Sequence, residues 1–88
     1  MNKLEKLDTD KLDFALLGFL NAHDATTKIK AVTCKTILSK LEIINYKTLC
    51  RRLSKLISKG YINTGTPESR EKTYYITKDG EQKLNEIM

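Results

Sequence analysis

The chain has 88 residues, of which 40% are hydrophobic and 31% charged, and it carries a formal net charge of +5. That length supports one small domain spanning residues 1–88, and no apolar run approaches the roughly 20 residues of a membrane span. The start, MNKLEKLDTD, mixes acids with bases and has no apolar leader stretch, so export is not expected and the expected setting is the reducing cytoplasm.

The first predicted helix begins near Thr9 or Asp10, either of which is a good N-cap. Leu12, Ala15, Leu16, Phe19 and Leu20 follow as a core-facing stripe at helical spacing. Phe14 and Leu17 lie off that stripe, so this helix is expected to bury a second face against the LEKL segment, the C-terminal helix or another subunit. The segment KIKAV alternates polar and apolar residues and reads as one short strand. Thr33 caps a second helix, CKTILSKL, with Ile37, Leu38 and Leu41 inward.

Asn45 caps a third helix, in which Leu49, Leu53, Leu56 and Ile57 fall within an arc of about 80° at 100° per residue. Lys47, Thr48, Arg51, Ser54, Lys55 and Ser58 occupy the other side, and Gly60 closes the helix. The period then changes from 3.6 to 2. YINTGT and KTYYIT read as strands joined by a mobile tip of about five to seven residues around PESRE. Ile62, Tyr74 and Ile76 are expected on the core side. Thr77 caps a last helix with acids in its first turn, as the helix dipole favours. An isolated hairpin is marginal in water, so it must pack on the helices, which makes the domain α+β.

Charge is unevenly distributed along this order. Residues 26–59 hold nine Lys or Arg and one acid, Glu42, a balance of +8; the segments before and after it balance to −2 and −1. Concentrated positive charge is the footprint of polyanion binding. A basic helix face on its own is more often a solvated surface; the hairpin that follows it and the acid-poor segment favour nucleic acid. No nucleophile with a partner base, glycine-rich phosphate loop or metal cluster is visible, so neither catalysis nor a cofactor is expected. Cys34 and Cys50 are too few for a disulfide framework, and with His23 alone they do not complete a zinc site. Half-buried free thiols are the simpler reading, with Cys50, beside Arg51, the one conceivable redox sensor. His23 reads as a helix C-terminal partner.

A further signal lies in Leu49, Leu53, Leu56, Gly60, Tyr61 and Ile62, followed after the hairpin by Tyr74, Ile76, Thr77 and Gly80. This ordered set resembles the core of winged helix-turn-helix domains, in particular MarR- and PadR-type bacterial regulators, over roughly residues 10–88. Full-length members of those families carry extra dimerisation helices that this chain lacks. The resemblance implies a winged-helix fold and DNA binding; the ligand sensing and dimer geometry of those families do not follow.

The binding geometry follows from physics as well. A helix anchored on one face can lay the other in the major groove, with its N-terminal turns nearest the bases. The candidates there are Asn45, Tyr46, Lys47, Thr48, Arg51 and, deeper, Lys55. Arg51 suits a bidentate contact to guanine, and Thr48 a thymine methyl or a phosphate. Free N–H groups around Asn45 to Lys47 suit a phosphate. Lys28, Lys30 and Lys35 would add sequence-independent affinity; Arg70 and Lys72 in the hairpin would follow the backbone or enter the minor groove. Arg52, near the edge of the apolar arc, either pairs with Glu42 or packs its stem. The four tyrosines suit core or hairpin packing better than base stacking.

The expected function is a small sequence-specific double-stranded DNA-binding protein, a transcriptional regulator and more readily a repressor than an activator. Two copies on a pseudo-palindromic site are expected, joined through Leu4, Leu7, Phe14, Leu17, Leu84 and Ile87. Any effector is unknown. The alternatives are a winged-helix module for protein–protein assembly and a plasmid or phage replication factor that binds origin DNA.

Overall fold

The computed structural model describes residues 11–41 and 45–87, with the side chain of residue 87 outside the description. In chain order the elements are helix α1 (Lys11–Ala22), strand β1 (Val32–Thr33), helices α2 (Cys34–Leu41) and α3 (Tyr46–Ser58), strands β2 (Ile62–Thr64) and β3 (Thr73–Ile76), and helix α4 (Lys78–Ile87). The three strands form one antiparallel sheet in the order β1-β3-β2. Ile62 lies opposite Ile76 in β2–β3, and Thr33 opposite Thr73 in β1–β3. This is the α+β domain expected from the periodicities, in the winged helix-turn-helix form that the resemblance implied. No helix among the described residues is long and apolar enough to cross a membrane.

The core draws on every layer: Leu16, Leu17, Phe19 and Leu20 from α1, Ile37 from α2, Leu49, Leu53 and Leu56 from α3, then Ile62, Tyr74, Ile76 and Leu84. The three α3 leucines are those of the predicted arc. In α1, Leu16, Phe19 and Leu20 of the predicted stripe are buried, and the expected second face is buried at Leu17, with α4 packed on the helix; the fully buried set is shifted towards that second face. Asp13, Leu16, Leu17 and Leu20 are each fully buried, a stripe at i, i+3, i+4 and i+7 that is rotated by roughly 80° from the predicted one, at 100° per residue. Leu12 and Ala15 are only half-buried. The rotation has a packing cause, because α1 is held between α4 on one side and β3 and α2 on others. It has a direct consequence for the expected dimer face: Leu17 and Leu84 are enclosed in the core of one chain, where α1 meets α4, so neither is a surface residue.

KIKAV supplies less strand than expected. Only Val32 and Thr33 pair with β3, and Ile29 is 89% exposed. The Thr33 hydroxyl accepts the Thr36 N–H at 3.3 Å and so starts α2 as anticipated.

The motif spanning Gly60 and Thr77–Gly80 is a single packed junction. Gly60, at φ +83°, takes the left-handed conformation after α3. Its N–H reaches the Ile57 carbonyl at 2.9 Å and the Tyr61 N–H reaches that of Leu56 at 3.0 Å, the paired bonds of a Schellman ending. The Thr77 hydroxyl donates to the Gly60 carbonyl at 2.6 Å and accepts the Gly80 N–H at 3.1 Å, capping α4. The Thr77 N–H donates to the Tyr61 carbonyl at 2.9 Å. One threonine thus ties the end of α3 to the start of α4, and the sheet is suspended between them.

Candidate nucleic-acid interface

Helix α3 starts where its sequence says it should. The Asn45 side-chain oxygen accepts the Thr48 N–H at 2.8 Å, a cap worth about 1 kcal/mol over alanine. This engages the acceptor side of Asn45 and one of the helix-start N–H groups in the protein itself, so the N–H groups left for a phosphate are those of Tyr46 and Lys47. With the leucine face seated in the core, Lys47, Arg51 and Lys55 are exposed and Thr48 is half-buried. Lys47 and Arg51 therefore stand on the surface opposite the anchor.

Beside the N-terminal turn of α3 lies an open cleft of about 490 Å³ between α2 and the hairpin. Its floor is Cys34, Leu38 and Tyr74; its rim carries Tyr46, Lys35, Arg70, Glu71 and Lys72. Four of the predicted contact residues, Lys35, Tyr46, Arg70 and Lys72, thus gather around one feature. Lys35 reaches Glu71 at 3.7 Å, an exposed ion pair linking α2 to the wing. Pairs of this kind contribute little to stability, so a phosphate can displace Glu71 at small cost.

The wing tip is tighter than the loose loop expected. Glu68 and Glu71 exchange N–H···O bonds of 3.0 and 2.9 Å, leaving Ser69 and Arg70 as a two-residue turn. Both have positive φ, 50° and 71°, the pair of conformations of a type I′ turn, where Asn-Gly is the favoured sequence. Arg70 at this position carries a conformational cost of about 1 kcal/mol, which fits a residue placed for its side chain.

Lys28 and Lys30 do not line the cleft. The Lys28 carbonyl accepts the Thr66 N–H at 3.1 Å, which holds the 26–31 loop on the base of the wing. Gly65 permits the approach, since a Cβ there would lie 2.5 Å from both the Ala31 Cβ and the Lys28 carbonyl oxygen. Lys30 pairs with Asp24 at 2.9 Å.

Two features escaped the sequence reading. Arg52 extends to Asp13 of α1, with 3.8 Å between Nη1 and Oδ2, a contact beyond the anticipated pairing with Glu42, which lies outside the described residues. Lys55 approaches the same oxygen at 3.9 Å. The signal was present: Asp13 is spaced i, i+3, i+4, i+7 with Leu16, Leu17 and Leu20, but a charged residue is discounted when an apolar stripe is drawn. The second feature is a chain of polar groups under the cleft. Cys34, Tyr74, Cys50 and Tyr46 lie close enough for each to influence the titration of its neighbours. Burial first, then the neighbouring Cys50, pushes the Cys34 thiol up to about 11; burial, then Cys34, pushes the Tyr74 phenol up to about 12. The Tyr46 phenol is raised chiefly by its neighbour Cys50. At neutral pH Cys34 therefore keeps its proton and lacks the thiolate that oxidation needs. His23 packs its ring on Phe19 at 4.2 Å between centroids, at the end of α1.

These shifts predict an alkaline limit. A group whose proton is held more tightly in the folded chain contributes stability below its ordinary pKa and loses that contribution as pH rises through the folded value. For Cys34 the window runs from 9.0 to about 11, and for Tyr74 from 10.0 to about 12. The urea midpoint should hold steady to about pH 9 and then fall. Cys34→Ser should move the onset towards that of Tyr74; an unchanged onset would show that Cys34 is not a source of the fall.

Of the expected dimer residues, Leu4 and Leu7 lie outside the described residues, Phe14 is half-buried at the margin of the core, and Ile87 ends α4.

No protein-family model matches the chain. It is 30% identical over 79 residues to the DNA-binding protein TubR of a Clostridium botulinum C phage, an alignment covering 90% of this chain and 96% of that protein. Among solved structures it resembles TubR from Bacillus megaterium pBM400, with a TM-score of 0.79 and 26% identity over 89% of this chain and 84% of the other. It also resembles the DNA-binding TubR fragment from Clostridium botulinum, with a TM-score of 0.69 and 25% identity over 99% and 100% of the two chains.

Proposed function

The chain belongs to the TubR family of DNA-binding proteins, and from that premise we propose that it binds double-stranded DNA sequence-specifically, acting by occupancy rather than by catalysis. Helix α3 enters the major groove with Lys47 and Arg51 foremost, and Arg51 supplies a bidentate contact to guanine. One flanking strand of the sugar-phosphate backbone seats over the cleft, against Lys35, Lys72 and the Tyr46 hydroxyl, while Arg70 at the wing tip reaches the minor groove or its edge. The observation that carries this reading is the convergence of α2, α3 and the wing on that cleft, with Lys35 from α2, Arg70 and Lys72 from the wing and the Tyr46 side chain from α3 at its rim.

A single domain of this size offers a small interface, so two copies on a pseudo-palindromic site are proposed for useful affinity and specificity. Phe14 is the described member of the expected dimer surface that reaches solvent. Occupying a promoter in the cytoplasm would make such a protein a transcriptional regulator, by repression. The winged-helix order, which resembles that of MarR- and PadR-type regulators, supports that use of α3. A second reading, a factor that binds phage or plasmid origin DNA without regulating transcription, is favoured by the phage source of one relative.

The test is binding of a labelled mixed-sequence duplex by fluorescence anisotropy as salt is raised. With roughly four to five phosphates contacted per chain, log K should fall against log salt with a slope of roughly −4. A flat dependence, or no binding at low salt, would remove DNA as the partner and favour protein–protein assembly. Selection of bound sequences from random duplexes then gives the site and its symmetry.

A further inference from the structure

Asp13 is the sole charged residue in the buried set among the described residues, at 0% exposure. A carboxylate removed from water requires compensating charge. Two cations of α3 approach its Oδ2, Arg52 at 3.8 Å and Lys55 at 3.9 Å. They are not equivalent. The Arg52 side chain is 29% exposed and lies towards the core, whereas that of Lys55 is 44% exposed and lies at the border with solvent. Lys55 follows Arg51 by one helical turn, so it stands next to the surface proposed to meet DNA.

We propose that Asp13 is a positioning residue that withholds Lys55 from DNA. The inference rests on the reading of α3 as the DNA-contacting helix. An ammonium group attracted to a buried carboxylate is weakly screened by salt, whereas a solvent-exposed phosphate attracts it through water and counterions. Lys55 therefore stays turned to Asp13 against any passing phosphate, and α3 contacts arbitrary DNA with fewer charges than it carries. When a well-fitted site brings a phosphate close, Lys55 swings out and Arg52 remains to neutralise Asp13. The two-cation arrangement thus lowers sequence-independent affinity and leaves the specific complex a reserve contact.

The experiment compares wild type, Asp13→Asn, Lys55→Ala and the double variant on one duplex of arbitrary sequence between about 50 and 200 mM salt. Releasing Lys55 to one more phosphate should steepen the salt slope of Asp13→Asn by about 0.9 and tighten binding roughly five- to tenfold at 0.1 M salt. In the Lys55→Ala background the same substitution should leave the slope where Lys55→Ala alone puts it. Asp13→Glu should keep the wild-type slope. A purely structural Asp13 would lower thermal stability in Asp13→Asn without moving the slope, and that result overturns the proposal. A gain that persists without Lys55 is an effect of net charge and also overturns it. If wild type shows no salt-dependent binding, the DNA reading itself fails and this inference with it. Should Asp13→Asn not fold, the wild-type Lys55 ammonium resonance, assigned with Lys55→Arg, decides. It should show slowed exchange in the free protein, unlike exposed Lys78, and change on adding DNA; behaviour like that of Lys78 overturns the proposal.

Discussion

Replacing Lys47 and Arg51 together by alanine should weaken duplex binding by about 100-fold or more per chain at physiological salt while leaving the fold in place. The size follows from two terms. A bidentate arginine–guanine contact is worth about 1–3 kcal/mol of discrimination, and each phosphate neutralised contributes close to one counterion, roughly a fivefold effect at 0.15 M salt. Both side chains are exposed on the face opposite Leu49, Leu53 and Leu56, so stability should stay within about 0.5 kcal/mol of wild type. The two substitutions separate on inspection of sequence preference. Lys47→Ala should weaken all duplexes about equally and flatten the salt slope by about 0.9, whereas Arg51→Ala should also relax the preference at one base position. Anisotropy titrations with circular dichroism on the same samples check both parts. Unchanged affinity in the folded double variant would remove α3 as the reading helix.

That helix was legible in the sequence because everything that makes it is local. Its leucine spacing, the Asn45 cap and the Gly60 ending each depend on neighbours within a turn or two, and each is found as expected. The change of period after Gly60 likewise marked the hairpin, and the Thr77 cap marked the last helix. What could not be read was set by contacts distant in sequence. The face that α1 buries depends on where α4 and the sheet lie, and this placed Leu17 and Leu84 inside the core rather than on a dimer surface. One partner of Arg52, Asp13, is a residue nearly forty positions earlier. The wing tip hid for another reason: Ser-Arg carries none of the turn signals of Asn-Gly, yet the Glu68–Glu71 pairing forces both residues to positive φ.

The binding surface drew together in part. Tyr46, Lys35, Arg70 and Lys72 come from three segments and meet at one cleft, which charge counting along the chain could suggest but not locate. The same counting overstated the cations available to DNA, because Lys30 and Lys55 face Asp24 and Asp13. A balance of +8 in the middle of the chain is therefore an upper bound on what a phosphate backbone meets.

Gly80→Ala should also weaken DNA binding, at temperatures near its lowered melting midpoint, but through the fold. A Cβ at Gly80 would sit 2.2 Å from the Tyr61 carbonyl oxygen, 2.7 Å from Ile76 Cγ1 and 3.0 Å from the Tyr61 carbonyl carbon. Two opposing effects have to be weighed. Alanine is favoured over glycine inside a helix by about 1 kcal/mol, and α4 would gain that. Against it, the first obstacle is backbone, held by the Thr77 N–H bond to the same carbonyl at 2.9 Å, so relief requires α4 to lift from the end of α3. Overpacking of this kind costs about 1–3 kcal/mol and occasionally more, and here it also strains the Thr77–Gly80 cap, worth about 1 kcal/mol. The clash should win by about 2 kcal/mol or more. For a domain with total stability of roughly 4–13 kcal/mol, at about 4–8 °C per kcal/mol, the midpoint should fall by at least about 10 °C. Thermal melts decide the sign: a midpoint equal to or above wild type would mean that helix propensity prevails and that α4 is free to move. Binding measured well below the lowered midpoint should recover, since Lys47 and Arg51 are untouched. That recovery separates a residue that holds the reading helix in place from one that reads.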